Sequence, residues 1–272
     1  MTTVTKESLV QNLSEAGLRH SDTVLVHASV SAIGADGGAD AILDALEEYF
    51  CDEGLLVIPS MTYTLIHPWD SDSERCKACQ CPRKYCFAYG KGLNEPRVFR
   101  YDMPTCIGGM ANAFLKRPDV MRSLSVTSSV AAKGRDAVAF TVAHELCESG
   151  CAKGSPWERL ISRNAKILLL GVPITKMTFL HGVAEWARSP KYYSRPFQMP
   201  IEVYDRDGRR VETRECRPVS GYSGAFVKLE EPLRISGALR DFRFGEASSF
   251  VGDARLIWET AEPLLRDNPE LL

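Results

Sequence analysis

A histidine and a glutamate four residues apart form the first pattern in the sequence that could carry chemistry. His181 and Glu185 lie in a segment predicted to be helical from Thr178 to Ala187, so both side chains fall on one face of the helix. A carboxylate there can orient the imidazole and raise its basicity, and such a base can accept a proton from an attacking amine. The alternative is a structural histidine satisfied within the core, and the spacing alone does not decide between the two.

A turn that carries two hydroxyl groups follows the first predicted strand. His27, Ser29 and Ser31 lead through Gly34 into a glycine-containing loop and then a helix. Backbone N–H groups, hydroxyls and a helix N-terminus together suit a phosphate, so the turn is compatible with an anionic cofactor. An ordinary strand-to-helix connection explains the same residues, and this pattern also leaves both interpretations open.

Four cysteines stand close together in the first third of the chain. Cys76, Cys79, Cys81 and Cys86 fall within eleven positions, which is dense enough to complete a tetrahedral zinc site. Zinc could order a segment that has few apolar residues of its own. The spacing is tighter than the usual pair of zinc knuckles, and disulfides or unligated thiols are the alternatives.

The elements that must position these residues follow an alternating pattern. A strand at 23–27, a helix at 41–50 and a strand at 55–59 predict a βαβ unit with a parallel crossover. Further strands are predicted near 130–132 and at 167–170. We therefore expect an α/β fold, three-layer α/β/α, with a mixed, largely parallel central sheet.

The remaining segments complete this prediction. Residues 64–104 break the periodicity and predict a Cys-rich insert or subdomain within a single domain spanning 1–272. Tyr63 and His67, just after the second strand, are candidate substrate contacts, although a loop histidine is often only solvated. Helices are predicted at 108–115, 137–145, 227–239 and 254–265, and a hairpin at 201–204 and 210–214.

Composition excludes several classes of function. The chain has 272 residues, 44% of them hydrophobic, with a formal net charge of -2, so a sizeable core is expected and a basic nucleic-acid footprint is absent. The polar N-terminus predicts no secretion signal, and no apolar run is long enough to cross a membrane. We expect a cytoplasmic protein that binds neither nucleic acid nor membrane. The nine cysteines predict thiols or a metal in preference to disulfides.

Several motifs, in the same order along the chain, resemble one enzyme family. Leu25–Gly34 is similar to the opening signature of aminoglycoside 3-N-acetyltransferases, and Arg122–Gly134 is similar to their central loop. Gly154–Leu160, Leu168–Val172 and Phe179–Trp186 resemble the motifs that follow, and Val251–Ala254 with Asn268–Leu272 resembles the end of the family's sequences. The resemblance spans nearly the whole chain.

The resemblance implies transfer of an acetyl group from acetyl-CoA to a primary amine of an aminoglycoside or aminocyclitol-like acceptor, a reaction linked to antibiotic resistance. His181 would be the general base with Glu185 as its partner, and the transfer would be direct. Acetyl-CoA would contact the first turn and the central loop, through the residues His27, Ala28, Ser29, Val30, Ser31, Ser128 and Ser129. A homodimer is compatible with this assignment.

The sequence departs from the family pattern at two places. Many relatives place the acidic partner three residues after the histidine, where this chain has Ala184 and offers Glu185 one position later. Some branches carry histidines in the central loop, where this chain has Ser125 and Ser128. The alternatives are therefore a biosynthetic N-acyltransferase acting on another natural-product amine, and a catalytically silent protein that binds CoA or is organised by zinc.

Overall fold

A computed structural model of the chain describes residues 3–62, 65, 97–187, 201–214, 223–268 and 271–272. The strands in these residues are β1 (Thr23–Ala28), β2 (Leu55–Pro59), β3 (Arg97–Arg100), β4 (Met121–Arg122), β5 (Val130–Gly134), β6 (Lys166–Leu170), β7 (Ile201–Tyr204), β8 (Arg210–Val211), β9 (Leu239–Phe244) and β10 (Ala247–Asp253). The α-helices are α1 (Lys6–Glu15), α2 (Val30–Ile33), α3 (Gly38–Phe50), α4 (Gly109–Phe114), α5 (Ala137–Thr141), α6 (Pro156–Ser162), α7 (Phe179–Trp186), α8 (Val227–Ile235) and α9 (Ala254–Asp267).

The main sheet has seven strands within the described residues, in the order β4-β5-β2-β1-β6-β10-β9. β1 pairs in parallel with β2 on one side and with β6 on the other, as the predicted βαβ unit requires. The other four pairings are antiparallel. The predicted mixed sheet is therefore confirmed, but the parallel part is confined to the three central strands. β9 and β10 are antiparallel because their short connection, Gly245-Glu246, can join only antiparallel neighbours.

Apolar layers cover both faces of the main sheet. Along β6, Ile167 and Leu169 belong to one buried cluster, and Leu168 and Leu170 belong to the other, because successive strand residues point to opposite faces. Helices α1, α3 and α4 cover the second cluster, and α5 through α9 contribute to the first. This arrangement confirms the predicted three-layer α/β/α architecture.

A second, smaller sheet has the order β3-β7-β8. β7 and β8 form the hairpin that the sequence predicts, closed by a turn at Asp205 to Arg209. β3 lies inside the predicted insert and pairs in parallel with β7. Most of residues 64–104 lie outside the described residues, so the insert itself stays a prediction.

Two helices are shorter than the sequence predicts. The helix predicted at 137–145 ends at Thr141, and His144–Leu146 forms a separate 3₁₀ turn. Ala143 has a φ of 62°, which no α-helix accommodates, and the Thr141 hydroxyl donates back to Ala137 O. The helix predicted at 227–239 ends at Ile235, because Gly237 has a φ of 75° and turns the chain into β9.

The β9–β10 hairpin was not predicted from the sequence. It occupies Leu239–Asp253 at the edge of the main sheet.

Along the described part of the chain, no helix combines the length and apolarity required to cross a bilayer.

Shortening a central side chain should destabilise the fold. Leu169 is fully buried on β6, so Leu169→Ala should lower the free energy of unfolding by about 2–5 kcal/mol, as expected when a buried leucine leaves a cavity. Leu264→Ala is the control, because that side chain on α9 is 37% exposed and its loss should cost less than about 1 kcal/mol. Urea denaturation followed by circular dichroism measures both. Equal losses for the two variants would contradict the assignment of β6 to the core.

Candidate active site

The three parallel strands end at one edge of the main sheet. β1 ends at Ala28, β2 at Pro59 and β6 at Leu170, and we call this the carboxyl edge. β5 runs antiparallel to β2, with Val130 opposite Pro59, so β5 begins at the same edge. In open α/β sheets, ligands bind outside the carboxyl ends of the strands. The turn after β1 that carries Ser29 and Ser31, which we call the first turn, lies there. So do the residues between β4 and β5, Ser123–Ser129, and from here on the central loop means this part of Arg122–Gly134.

The first turn presents two hydroxyl groups at the carboxyl edge. The Ser29 and Ser31 Oγ atoms lie 3.3 Å apart, with Ser29 half-buried and Ser31 exposed. The Ser29 N–H donates to Leu170 O at 2.9 Å, which ties the turn to the end of β6. Gly171 follows with a φ of 66°, and a Cβ there would lie 2.8 Å from Ala32 Cβ. The close approach of the turn to β6 therefore requires glycine at position 171.

His27 contributes a buried polar atom beside this turn. Its Nε2 is buried and has no hydrogen-bond partner among the described residues. Burial lowers the pKa of His27 to about 3, so the ring is neutral at pH 7. Buried polar atoms normally have partners, and an orphaned one beside two accessible hydroxyls is a candidate ligand contact.

The central loop is buried and held by its own hydrogen bonds. Ser60 N–H donates to Ser129 O at 2.8 Å, and Ser129 Oγ donates to Ser60 O at 2.7 Å. Ser128 N–H donates to Ser125 Oγ at 3.0 Å. Trp157 Nε1 donates to Ser128 O at 2.9 Å. The Ser129 hydroxyl is thus engaged within the fold, and Ser128 is also buried, with its Oγ 3.2 Å from Thr127 Oγ1.

A buried arginine at the start of the central loop fixes its base. The Arg122 guanidinium donates to Ser60 O at 2.6 Å, to Tyr101 O at 3.1 Å and to Met103 O, and it lies 5.0 Å from the centre of the Phe99 ring. Burial lowers the pKa of Arg122 to about 10, so the side chain remains charged at pH 7. Arg122 is not among the candidate site residues predicted from the sequence.

His181 and Glu185 lie one turn apart on α7, as predicted. Both are half-buried, and the His181 ring packs edge-on against Phe226 with 4.8 Å between ring centres. Burial lowers the pKa of His181 to about 4, so the imidazole is neutral at pH 7 and able to accept a proton. The Glu185 carboxylate accepts a hydrogen bond from Ser149 Oγ, which lies 2.6 Å and 2.7 Å from its two oxygens.

The segment Ser149–Cys151, which we call the linker, contacts both α7 and the central loop. Ser149 holds Glu185, and Cys151 O accepts a hydrogen bond from Trp186 Nε1 at 2.8 Å. A Cβ on Gly150 would lie 2.5 Å from the Ser128 side chain and 2.5 Å from Thr127 Oγ1. Glu185 and Ser128 therefore both lie against one short segment, which was not among the candidate residues predicted from the sequence.

Six predicted site residues lie outside the described residues. They are the substrate-contact candidates Tyr63 and His67 and the four clustered cysteines Cys76, Cys79, Cys81 and Cys86. Among the residues that the structure does describe, no group of three or more His, Cys, Asp or Glu is placed to hold a metal ion. The zinc site stays a prediction.

Comparison with known proteins adds evidence of a different kind. A family model described as aminoglycoside 3-N-acetyltransferase matches residues 25–266. Aminoglycoside N(3)-acetyltransferase VII of Streptomyces paromomycinus is 29% identical over 273 residues, covering 93% of this chain and 88% of that protein. Aminoglycoside N(3)-acetyltransferase III of Serratia marcescens is 29% identical over 275 residues, covering 92% of this chain and 93% of that protein.

Solved structures share the fold. The crystal structure of the YokD protein from Bacillus subtilis matches with a TM-score of 0.76 at 25% identity, covering 98% of this chain and 95% of that chain. A structure described as AAC-IIIb binary with CoASH matches with a TM-score of 0.73 at 24% identity, covering 98% of each chain, and shows likeness of fold.

A methyl group on the linker should disturb the site. Gly150→Ala places a Cβ against Ser128 and Thr127, so those side chains or the linker must move. We expect binding of CoA, measured by isothermal titration calorimetry, to weaken by about tenfold, or about 1.4 kcal/mol. Gly109→Ala is the matched control, because a Cβ at Gly109 meets nothing within 4 Å and should leave affinity unchanged. Unchanged affinity in Gly150→Ala would argue against a ligand site beside Ser128.

The stability of the protein should depend on the charge state of His144. Burial lowers its pKa from 6.5 to about 4 in the folded state, so below pH 6.5 the unfolded chain binds the proton more readily. Stability from this group is complete above pH 6.5 and is lost as pH falls towards 4, by on the order of 3 kcal/mol. The free energy of unfolding, measured by denaturation at several pH values across this range, should fall more steeply with decreasing pH for the wild type than for His144→Gln. Parallel pH profiles would show that the imidazole is not desolvated.

Proposed function

Because the chain belongs to the aminoglycoside 3-N-acetyltransferase family, as its motifs predict, we propose that it transfers an acetyl group from acetyl-CoA to a primary amine of an aminoglycoside. The prediction of an acyltransferase is confirmed at the level of the family. The substrates and the roles of individual residues are the substance of the proposal. The first relatives by sequence are named for acetylation at N(3), and this favours an aminocyclitol amine as the acceptor.

His181 is the general base in this proposal. An amine that attacks the thioester carbonyl becomes more acidic as the new C–N bond forms, and its proton must leave for the amide to be produced. The imidazole of His181 is neutral at pH 7, and the residue is partly exposed, so the ring has an unprotonated nitrogen that can receive that proton. The C–S bond then breaks, and the CoA thiolate leaves with the electron pair. The observation that carries the catalytic assignment is the position of His181 on α7, one turn from a Glu185 carboxylate that Ser149 holds beside the central loop.

Glu185 stabilises the imidazolium that forms on His181. It lies one helical turn away, and a carboxylate at that spacing interacts favourably with a cation on the same helix face. The hydrogen bond from Ser149 fixes the carboxylate and leaves its negative charge in place. An anionic group in this position also favours the binding of a polycationic acceptor.

The acyl donor occupies the carboxyl edge in this proposal. The accessible hydroxyls of Ser29 and Ser31 and the orphaned Nε2 of His27 offer polar contacts there, with Ala28 and Val30 forming the intervening backbone. Ser128, in the central loop, is the second contact region. Ser129 acts through Ser60, because its hydroxyl already donates to that residue's carbonyl oxygen.

Turnover with a panel of amines tests the function. Purified protein is incubated with acetyl-CoA and aminoglycosides that have or lack a 3-amino group, and with other natural-product amines, and mass spectrometry detects the acetylated product. A thiol reagent is unsuitable, because the chain has nine cysteines. Products formed only from the other amines would favour a biosynthetic acyltransferase. CoA binding without any product would favour a silent scaffold.

Removing the base should abolish most of the activity. His181→Ala should lower kcat by about 10²-fold or more, which is the usual contribution of a general base. His20→Ala is the control, because His20 stacks on Tyr49 and bonds to the Tyr49 carbonyl oxygen, and it should retain wild-type kcat. Full turnover in a folded His181→Ala variant would refute the assignment.

A further inference from the structure

Another histidine, His144, lies next to the candidate site and, unlike His181, is fully buried. His144 lies in the 3₁₀ turn between α5 and α6 and has no exposed surface. The reaction proposed above does not use it. Both ring nitrogens nevertheless have hydrogen-bond partners, and those partners lie on two different parts of the site.

The partners of His144 determine where its proton lies. Nε2 is 2.7 Å from Gly150 O, and a carbonyl oxygen only accepts, so Nε2 carries the proton and donates. Nδ1 is 2.8 Å from Ser123 Oγ and therefore accepts the hydroxyl proton of Ser123. Ser123 Oγ in turn accepts from Val130 N–H at 2.9 Å. The result is a continuous chain of hydrogen bonds from Val130 through Ser123 and His144 to Gly150.

The two ends of this chain belong to the two structures that the site needs. Ser123 begins the central loop and Val130 follows its last residue, and Ser123 N–H also donates to Val130 O at 2.9 Å. Gly150 belongs to the linker, next to Ser149, which holds the Glu185 carboxylate. His144 thus fastens the base of the central loop to the segment that positions Glu185.

We propose that His144 is a positioning residue for acetyl transfer, which acts by holding the linker, and through it Glu185, in register with the central loop. The proposal rests on the function proposed above. His144 does not contact substrate in this role. Its contribution is two hydrogen bonds of fixed direction, in which a neutral ring donates from Nε2 to Gly150 O and accepts at Nδ1 from the Ser123 hydroxyl.

The role differs measurably from a purely structural one. If His144 only fills space, its replacement lowers stability and leaves the kcat of the folded fraction unchanged. If it positions Glu185, kcat falls because the imidazolium on His181 is less well stabilised, whereas KM for acetyl-CoA changes little. Ser149→Ala breaks the same connection one step closer to Glu185.

A double-mutant cycle tests the proposal. His144→Leu removes both hydrogen bonds, and we expect kcat to fall about tenfold or more, with KM for acetyl-CoA within about twofold. His144→Gln keeps an N–H donor for Gly150 O and should recover part of that loss. Because His144 and Ser149 act through one carboxylate, the double variant with Ser149→Ala should lose little more than the worse single variant. Thr141→Val is the control, since it removes a buried hydrogen bond to Ala137 O in the same region and should leave kcat unchanged.

Several outcomes would overturn the proposal. A folded His144→Leu variant with wild-type kcat would do so, and so would losses that multiply fully with those of Ser149→Ala. If His144→Leu does not fold, the cycle is repeated with Ser123→Ala, which removes the donor to Nδ1. Absence of turnover in the wild type would refute the proposed function and, with it, this role.

A second measurement needs no substrate. In ¹⁵N spectra of histidine side chains, His144 should show a neutral ring protonated on Nε2 at pH 7, and its signals are assigned by their loss in His144→Gln. A neutral ring protonated on Nδ1 could not donate to Gly150 O, and a cationic ring would reverse the bond to Ser123, so either result would contradict the proposed hydrogen-bond chain even in an active enzyme. This result separates failure of the positioning role from failure of the function.

Discussion

The antiparallel register of β5 against β2 is the constraint on which the rest of the site depends. Because Val130 lies opposite Pro59, the loop that precedes β5 has to cross the carboxyl edge of the parallel strands. The hydrogen bonds between Ser60 and Ser129 lock that register at its last pair. A slip of one residue would exchange the two faces of β5 and so bring its buried side chains out of the layers in which they pack. The pairing of β5 with β2 therefore determines where the candidate site lies, whichever side chains carry out the catalysis.

Neutral imidazoles are a recurring feature of this part of the molecule. Burial lowers the pKa of His27, His144 and His181 well below 6.5, so each ring offers one donor and one acceptor at neutral pH. The environments give the three rings different uses. His144 has both nitrogens committed within the fold, His27 has an orphaned nitrogen beside the first turn, and His181 is half-exposed on α7. Burial makes all three rings neutral. Their hydrogen-bond partners and their exposure distinguish the structural imidazole of His144 from the two that can contact a ligand.

Local sequence patterns were enough to predict the elements whose formation depends on residues close together in the chain. The βαβ unit, the helix that carries His181 and Glu185, and the β7–β8 hairpin with its turn ending at Gly208 all follow from periodicity and turn residues. The β9–β10 hairpin did not, because β9 is an edge strand whose charged residues lack a clear alternation. The Ser149–Glu185 hydrogen bond joins residues 36 positions apart, and the His144–Ser123 bond joins residues 21 positions apart. No local pattern encodes such pairs, since packing of α7 and the central loop creates them.

The buried guanidinium of Arg122 ties together backbone that is far apart along the chain. Its acceptors lie in the residue after β2 and in the stretch that follows β3, up to 62 positions away. If any of these stretches opened alone, the guanidinium would lose a hydrogen-bond acceptor while the rest of its surroundings stayed closed, which is costly for a charged group. The end of β2, the stretch after β3 and the entrance to the central loop should therefore exchange their amide hydrogens together, as one cooperative unit of local unfolding.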